Sequence, residues 1–263
     1  MRIVVLTKPV PDPASGAERL GPDLRLDRAA SPAVVNGNDE YALEAALKLV
    51  EAAGDGEVML LSMAPANAPE TMRKALAMGA TRGVLVTDPA LEGSCTVATT
   101  RVLAAALATL EFDLALAGVD TSDGVAGVVP AGVAALAGLP YLSYAARIEP
   151  DAAARTVRVR RISPTGYDVL EAPMPALISC TQALGEPRYP SLKGIMAARS
   201  REIATLTLAD LGIDPASVGT AGATTRVVEA RTPPARDATR VIREPAEEAA
   251  RQVVDFLAQR RLI

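Results

Sequence analysis

Short apolar runs alternate along the chain with stretches whose apolar positions recur every three or four residues. Ile3 to Leu6 is continuously apolar, the pattern of a strand covered on both faces. Leu43, Ala46, Leu47 and Val50 then fall at i, i+3, i+4 and i+7. That spacing predicts a helix over 39–53, which Asn38 or Asp39 can cap and Gly54-Asp55-Gly56 stops. The rhythm continues with strands over 58–62, 84–87 and 114–117 and helices over 69–78, 96–109 and 128–137. Gly79 suits the end of the second helix, and Gly138-Leu139-Pro140 the end of the fourth. Strand-helix-strand order of this kind predicts an α/β fold, a mostly parallel sheet with helices on both faces.

The pattern changes after Pro140. Residues 157–161 and 167–170 alternate around Ser163-Pro164-Thr165-Gly166, which predicts an antiparallel hairpin. Residues 176–180 read as one more buried strand. From 185 to 201 neither a helix nor a strand period holds, and from Leu206 the chain is loop-rich. It ends in an amphipathic helix, with Ala246, Ala249, Ala250, Val253, Val254 and Leu257 on one stripe. Such a stripe needs a surface to cover it. The expected organisation is an α/β domain over 1–204 and a C-terminal arm over 205–263.

Composition narrows the chemistry. Hydrophobic residues are 49% of the 263, but aromatics are 3% and Trp is absent, so Ala, Val, Leu and Ile must build the core. A net charge of −4 argues against an electrostatic nucleic-acid binder. The N-terminus enters a strand pattern directly, without a signal-peptide pattern, and no apolar run reaches the ~20 residues of a membrane span. Cys95 and Cys180 have no metal-type spacing and read as reduced, mostly buried thiols. Together these features fit a soluble cytoplasmic protein that inserts in no membrane. Histidine is absent, which removes His-dependent triads and His metal sites. No nucleophile–base pair is evident, so the expectation is a chain that binds and positions, with no catalytic residue and no metal.

Three segments fall at or near strand ends on the edge where α/β sheets bind ligands. They are Thr7 to Pro13, Asn36-Gly37-Asn38-Asp39-Glu40, and the Gly-rich stretch from Gly118 to Gly127. In the last, Gly118, Gly124 and Gly127 allow close backbone approach, and Thr121 and Ser122 supply hydroxyls beside a helix start. That suits a phosphate, although a plain strand-to-helix connection has the same appearance. Asp120 and Asp123 without further ligands read as turn and cap formers. A fourth segment, Gly185 to Arg201, is basic within an acidic chain and offers Leu192, Ile195 and Met196. It is either a docking loop or a covered loop that completes the core.

At these segments the sequence resembles the beta subunit of electron transfer flavoproteins. Lys8-Pro9-Val10-Pro11-Asp12 is similar to the family's Lys-x-Val-x-Asp, and Asn36 to Ala42 to its Asn-Pro-Tyr-Asp-Glu-Tyr-Ala. Arg73 to Arg82 resembles Arg-Lys-Ala-Leu-Ala-Met-Gly-Ala-Asp-Arg. Glu186-Pro187-Arg188-Tyr189-Pro190-Ser191-Leu192 with Ile195-Met196 resembles the family's recognition segment. The resemblance implies a Rossmann-like fold of the adenine-nucleotide alpha hydrolase-like kind. It implies a heterodimer with an alpha subunit that carries most of the FAD, and a structural AMP on this subunit. Electrons would come from acyl-CoA and related dehydrogenases and pass to a quinone oxidoreductase.

The AMP contacts carry over to Leu6, Asn36, Gly37, Asn38, Asp39, Met63, and the loop Gly118, Val119, Asp120, Thr121, Ser122, Asp123, Gly124, Val125, Ala126, Gly127, Val128 and Val129. Partner docking carries over to the loop 183–202, through Glu186, Pro187, Arg188, Tyr189, Leu192 as apolar anchor, Lys193, Ile195 and Met196. Arg161 aligns near the subunit contact, and the arm is expected to pack on the alpha subunit. Departures matter: Gly37 replaces the usual Pro, and Val128 and Val129 replace polar residues beside the phosphate. Phosphate contacts would then rest on backbone N–H groups and on Thr121 or Ser122. Rival readings are a bifurcating or nitrogen-fixation-linked beta subunit with a second FAD in place of AMP, and a stand-alone nucleotide-binding protein of the universal-stress type.

Overall fold

The computed structural model describes all residues except 232, 235–238 and 240. The loop-rich reading at those six positions lies outside the described residues. Two compact units emerge, 1–228 and 229–263.

In the first unit the elements are β1 (Arg2–Leu6), β2 (Pro9–Pro11), β3 (Ala33–Val35), α1 (Gly37–Ala53), β4 (Glu57–Met63), α2 (Pro69–Met78), β5 (Arg82–Val86) and α3 (Thr96–Ala108). There follow β6 (Leu114–Gly118), α4 (Val129–Ala137), β7 (Tyr141–Asp151), β8 (Thr156–Ser163), β9 (Gly166–Pro173), β10 (Ala176–Cys180), α5 (Leu192–Ala198), β11 (Ile203–Leu206) and a short α6 (Gly219–Gly222). In the second unit α7 (Ala246–Gln259) is the described helix, and none of its residues is buried.

One nine-stranded sheet runs in the order β11-β5-β4-β1-β6-β10-β7-β8-β9, parallel up to β7 and antiparallel through β8 and β9. The chain steps from β1 outward to β4 and β5, then returns to pair β6 on the other side of β1. That reversal puts a switch point at the C-terminal ends of β1 and β6, the place where open α/β sheets take ligands.

Two apolar clusters form, one on each face of the sheet. Ile3, Val5, Val58 and Leu60 pack with α1 and α2, while Val4, Met59, Leu61 and Ala115 pack with α3 and α4. Successive residues of one strand feed opposite cores, which is why the central strands read as unbroken apolar runs. With few aromatics available, the largest fully buried side chains are aliphatic or Met, such as Ile3, Leu60, Leu116 and Met59.

The expected helices and strands are present, with corrections at the junctions. α1 begins at Gly37, two residues before the expected start. Asn36 stands at the cap position without a side-chain cap bond, because its amide serves another loop. β7 was not expected. It changes neighbours midway, from parallel β10 to antiparallel β8, and its register shifts between Ala145 and Arg147, so no single alternation holds. The stretch 185–201 was expected to be irregular, yet it contains α5. Ser191 caps α5 by accepting the Gly194 N–H at 3.0 Å. Leu192, Ile195 and Met196 sit at i, i+3 and i+4, but seven residues are too short for that spacing to stand out.

Arginines fix the segment around α5. The Arg73 guanidinium donates to Ala198 O at 2.6 Å, and Arg201 donates to Leu76 O at 2.5 Å, near the end of α2, and to Ala80 O just past it. Arg188 binds α1. Its Nε donates to Glu44 Oε2 at 2.7 Å and its Nη1 to Glu51 Oε1 at 2.5 Å. The Glu44 side chain is only 4% exposed. Burial raises its pKa, but the Arg188 contacts, with help from Lys48, outweigh burial and leave it below the ordinary value.

A carboxylate with a lowered folded pKa adds stability above its unfolded pKa and loses it as pH falls through the folded one. Arg188→Ala leaves Glu44 with the backbone N–H of residue 188 and Lys48 but without its guanidinium partner, and truncation of one partner of a covered pair costs ~3 kcal/mol. The variant should therefore unfold at lower urea at pH 7. Its deficit should shrink as pH falls through the lowered pKa of Glu44, because protonation removes the charge that Arg188 pairs. Equal midpoints at pH 7 would mean that the ion pair is dispensable.

Candidate functional site

The three segments expected at the sheet edge meet there. The chain leaves β1 through Thr7 and Lys8, pairs as β2 with β3, and returns so that the Asn36 N–H donates to Lys8 O at 3.0 Å. Asp39, in the first turn of α1, accepts the Lys8 N–H at 2.8 Å and the Gly118 N–H at 3.2 Å. One buried carboxylate thus ties together the ends of β1 and β6 and the start of α1. Burial drives its pKa up to about 7 against the opposing pull of Asn36, these N–H donors and Lys8.

Asn36 extends the junction. Its Nδ2 donates to Asp120 O at 2.8 Å, and its Oδ1 accepts the Ser122 N–H at 3.2 Å. Asn38 Nδ2 donates to Asp120 Oδ1 at 2.6 Å. Gly118 is required by this crowding: a Cβ there would stand 2.6 Å from Asp39 Oδ1 and 2.8 Å from the Asn38 backbone. The Gly-rich loop is therefore pinned along 118–122 and opens beyond it.

Past Ser122 the loop takes unusual backbone. Val125, a β-branched residue, has φ +44°, and Gly127 has φ +62°. Val125 N–H donates to Thr121 O, and Gly132 N–H to Val128 O. The N–H groups of Ala126, Gly127, Val128, Val129 and Ala131 find no acceptor among the described residues. They stand at the start of α4, whose cap residue Val128 supplies no side-chain bond. Free N–H groups and the positive end of a helix dipole favour an anion.

Asp123 is held by two cations. Its Oδ1 lies 2.8 Å from Lys8 Nζ and its Oδ2 2.6 Å from Arg28 Nη2. Burial acts to raise its pKa, but Lys8, Arg28 and Thr121 outweigh that and hold it at about 2. Lys8 appears in the sequence only as part of a motif, and Arg28 carried no signal, because it reaches Asp123 from a connection 95 positions away. Leu6 is buried at the end of β1, and Met63, at the end of β4, is half-buried, so both stand on the same edge. Among the described residues no cluster of carboxylates and cysteines could hold a metal ion, and no helix is long and apolar enough to cross a membrane.

The expected docking residues form a separate surface. Tyr189 is 95% exposed and Leu192 78%, with Ile195 and Met196 also exposed on α5. Beside them a groove of about 350 Å³ is lined by Glu70, Arg73, Lys74, Pro190, Ile195 and Arg199. Pro187 is half-buried, Glu186 and Lys193 are exposed, and Arg188 is engaged by Glu44 and Glu51. Arg188 and Arg201 therefore shape this surface from below, and Lys74, Lys193 and Arg199, together with Glu70, supply its accessible charge.

The thiols differ. Cys180 is fully buried, and burial pushes its pKa up. Cys95 is half-buried rather than mostly buried. Burial would raise its thiol, but N–H groups of Ala98, Val97 and Thr224 and the Thr224 hydroxyl pull it to about 6 at the start of α3.

Comparison with known proteins decides the family. The model of the electron transfer flavoprotein domain matches residues 23–211. The chain belongs to the electron transfer flavoprotein family. It is 38% identical to "Electron transfer flavoprotein subunit beta" of Mycobacterium tuberculosis (strain CDC 1551 / Oshkosh), over 99% of each chain. The subunit of that name from Clostridium acetobutylicum is 35% identical over the full length of both. "Caffeyl-CoA reductase-Etf complex subunit CarD" of Acetobacterium woodii is 33% identical, again over the full length of both. Over its full length the chain is thus similar to the beta subunits of that family.

Asp39 gives this site a distinct pH signature. An acid whose folded pKa lies above its unfolded value binds more protons folded than unfolded, so its contribution to stability falls as pH rises from about 4 to about 7. Asp123 acts in the opposite sense, losing stability as pH falls below about 4 toward 2. In Asp39→Asn the first slope should vanish while the second remains. Urea midpoints of wild type and variant across pH 3 to 8 measure this, and parallel curves would show that Asp39 does not titrate in that window.

Proposed function

We propose that this subunit holds an adenylate, AMP, at the edge of the sheet over Gly118 to Val129, and completes a heterodimer whose alpha subunit carries FAD. The observation that carries the reading is the locked junction of Asn36 and Asp39 with the Gly-rich loop. Next to it the N–H groups of 126–129 and 131, without an acceptor among the described residues, mark one spot at the start of α4 for the phosphate. Leu6, Met63 and Gly37 to Asp39 flank that spot and bound the nucleotide. AMP here is structural: it fills the edge and stiffens the loop, and the electrons pass through the flavin.

The α5 surface is the docking site for acyl-CoA and related dehydrogenases, with Leu192 as its apolar anchor. A carrier that serves several donors needs a small contact that releases quickly. One exposed leucine within a short capped helix, flanked by Lys193 and Arg199, meets that need. Arg161, paired with Asp168 at 2.6 Å on the β8–β9 hairpin, and the apolar stripe of α7 are assigned to the alpha subunit. The oxidant of the reduced complex is a quinone oxidoreductase, and the protein works in the cytoplasm. A second reading, with FAD in place of AMP on this subunit, draws support from the relative named as part of a caffeyl-CoA reductase complex.

The test is electron uptake by the heterodimer purified with its alpha subunit, with bound nucleotides extracted and identified. The reading expects one FAD and one AMP per heterodimer; two FAD and no AMP favours the second reading. Leu192→Ala should slow dehydrogenase-linked flavin reduction about tenfold at subsaturating donor, a loss of ~1.4 kcal/mol of contact energy. Chemical reduction of the flavin and both nucleotide contents should stay unchanged. Equal uptake rates would remove Leu192 as the anchor, and lost FAD would make the residue structural.

A further inference from the structure

Two cations converge on the Gly-rich loop from outside it. Lys8 reaches in from the end of β1, with its ammonium 2.8 Å from Asp123 Oδ1 and 3.5 Å from Thr121 Oγ1. Arg28 arrives from the connection between β2 and β3, with Nη2 2.6 Å from Asp123 Oδ2. The Asp123 side chain is 1% exposed, whereas Lys8 is 37% and Arg28 45% exposed. The carboxylate sits beneath and the cations reach solvent above it. A carboxylate satisfies only some of the three ammonium and five guanidinium donors, so donors remain on both side chains for an anion.

The placement argues for a ligand rather than a brace. Covering an ionised carboxylate is costly, and a surface brace between a loop and a half-exposed arginine returns little. Lys8 Nζ lies 3.9 Å from where a Cβ of Gly124 would stand, so the ammonium lies against the loop two residues before the first of the free N–H groups. Asp120, the other acid of the loop, is occupied by Asn38.

We propose that Lys8 and Arg28 grip the phosphate of the bound adenine nucleotide, and that Asp123 is the positioning residue that aims both at the Gly-rich loop. This rests on the adenylate reading above and assigns to side chains from 8 and 28 a contact that the loop alone was expected to make. Val128 and Val129 offer no polar side chain there, so a side-chain contact with the phosphate falls to the two cations. The recognised chemistry is a phosphate ester, whether of AMP or of the adenylate half of FAD.

The test uses the purified heterodimer freed of its adenylate, titrated calorimetrically with AMP and with adenosine. Wild type should prefer AMP. Lys8→Gln and Arg28→Gln should each weaken AMP at least tenfold, leave adenosine unchanged, and flatten the salt dependence of AMP binding. Should wild type take FAD at this site instead of AMP, the same loss is expected for FAD relative to riboflavin. Unchanged nucleotide affinity in both variants overturns the proposal while leaving the adenylate reading intact. Equal losses for AMP and adenosine also overturn it, because the residues would then only brace the loop. A wild type that binds neither nucleotide contradicts the adenylate reading itself, and this assignment with it.

Discussion

One buried carboxylate organises the functional edge. Asp39 accepts N–H groups from the chain leaving β1 and from the end of β6, while standing in the first turn of α1. Remove it and three segments distant in sequence lose their common anchor. The position is expensive, since burial alone opposes the charge, and the ordinary means of relieving that cost is hydrogen bonding from backbone. The backbone that supplies those bonds is the backbone that must be held still for a ligand. Gly118 follows from the same constraint, because any side chain there would strike the carboxylate.

The two proposed tasks of the subunit are kept apart by topology. The nucleotide edge lies where the strand order reverses, and the docking surface rides on α2 through α5. Both are tied to α1: Asp39 in its first turn holds the Gly-rich loop, and Glu44 and Glu51 farther along hold Arg188. A rigid helix with acids at both sites sets their separation. Leu192 can then be exposed, because Arg188 and Arg201 supply the attachment that a buried leucine would otherwise provide.

What the sequence revealed follows from how each element is covered. Ile3 to Leu6 and Leu114 to Ala117 are continuous because both faces are buried, and that pattern needs no tertiary knowledge. The hairpin of β8 and β9 was legible through its alternation. β7 was not, since it serves two kinds of neighbour and contains Tyr144 at φ +53°. α5 was hidden by its length, although Ser191 with Leu192, Ile195 and Met196 carried the signal. Of the site, the segments at strand ends were readable because a parallel sheet puts all such ends on one edge. Arg28 was not, because its contact with Asp123 depends on how the 12–32 connection folds back.

The central claim is that the Gly-rich loop, fixed by Asp39 and Asn36, is the nucleotide site. Amide hydrogen exchange of the heterodimer with and without AMP tests it most directly. The account predicts that AMP slows exchange at Ala126 to Val129 and Ala131, with no change across 190–198 on α5. Slowing confined to the α2–α5 groove, with the loop amides unaffected, would contradict it.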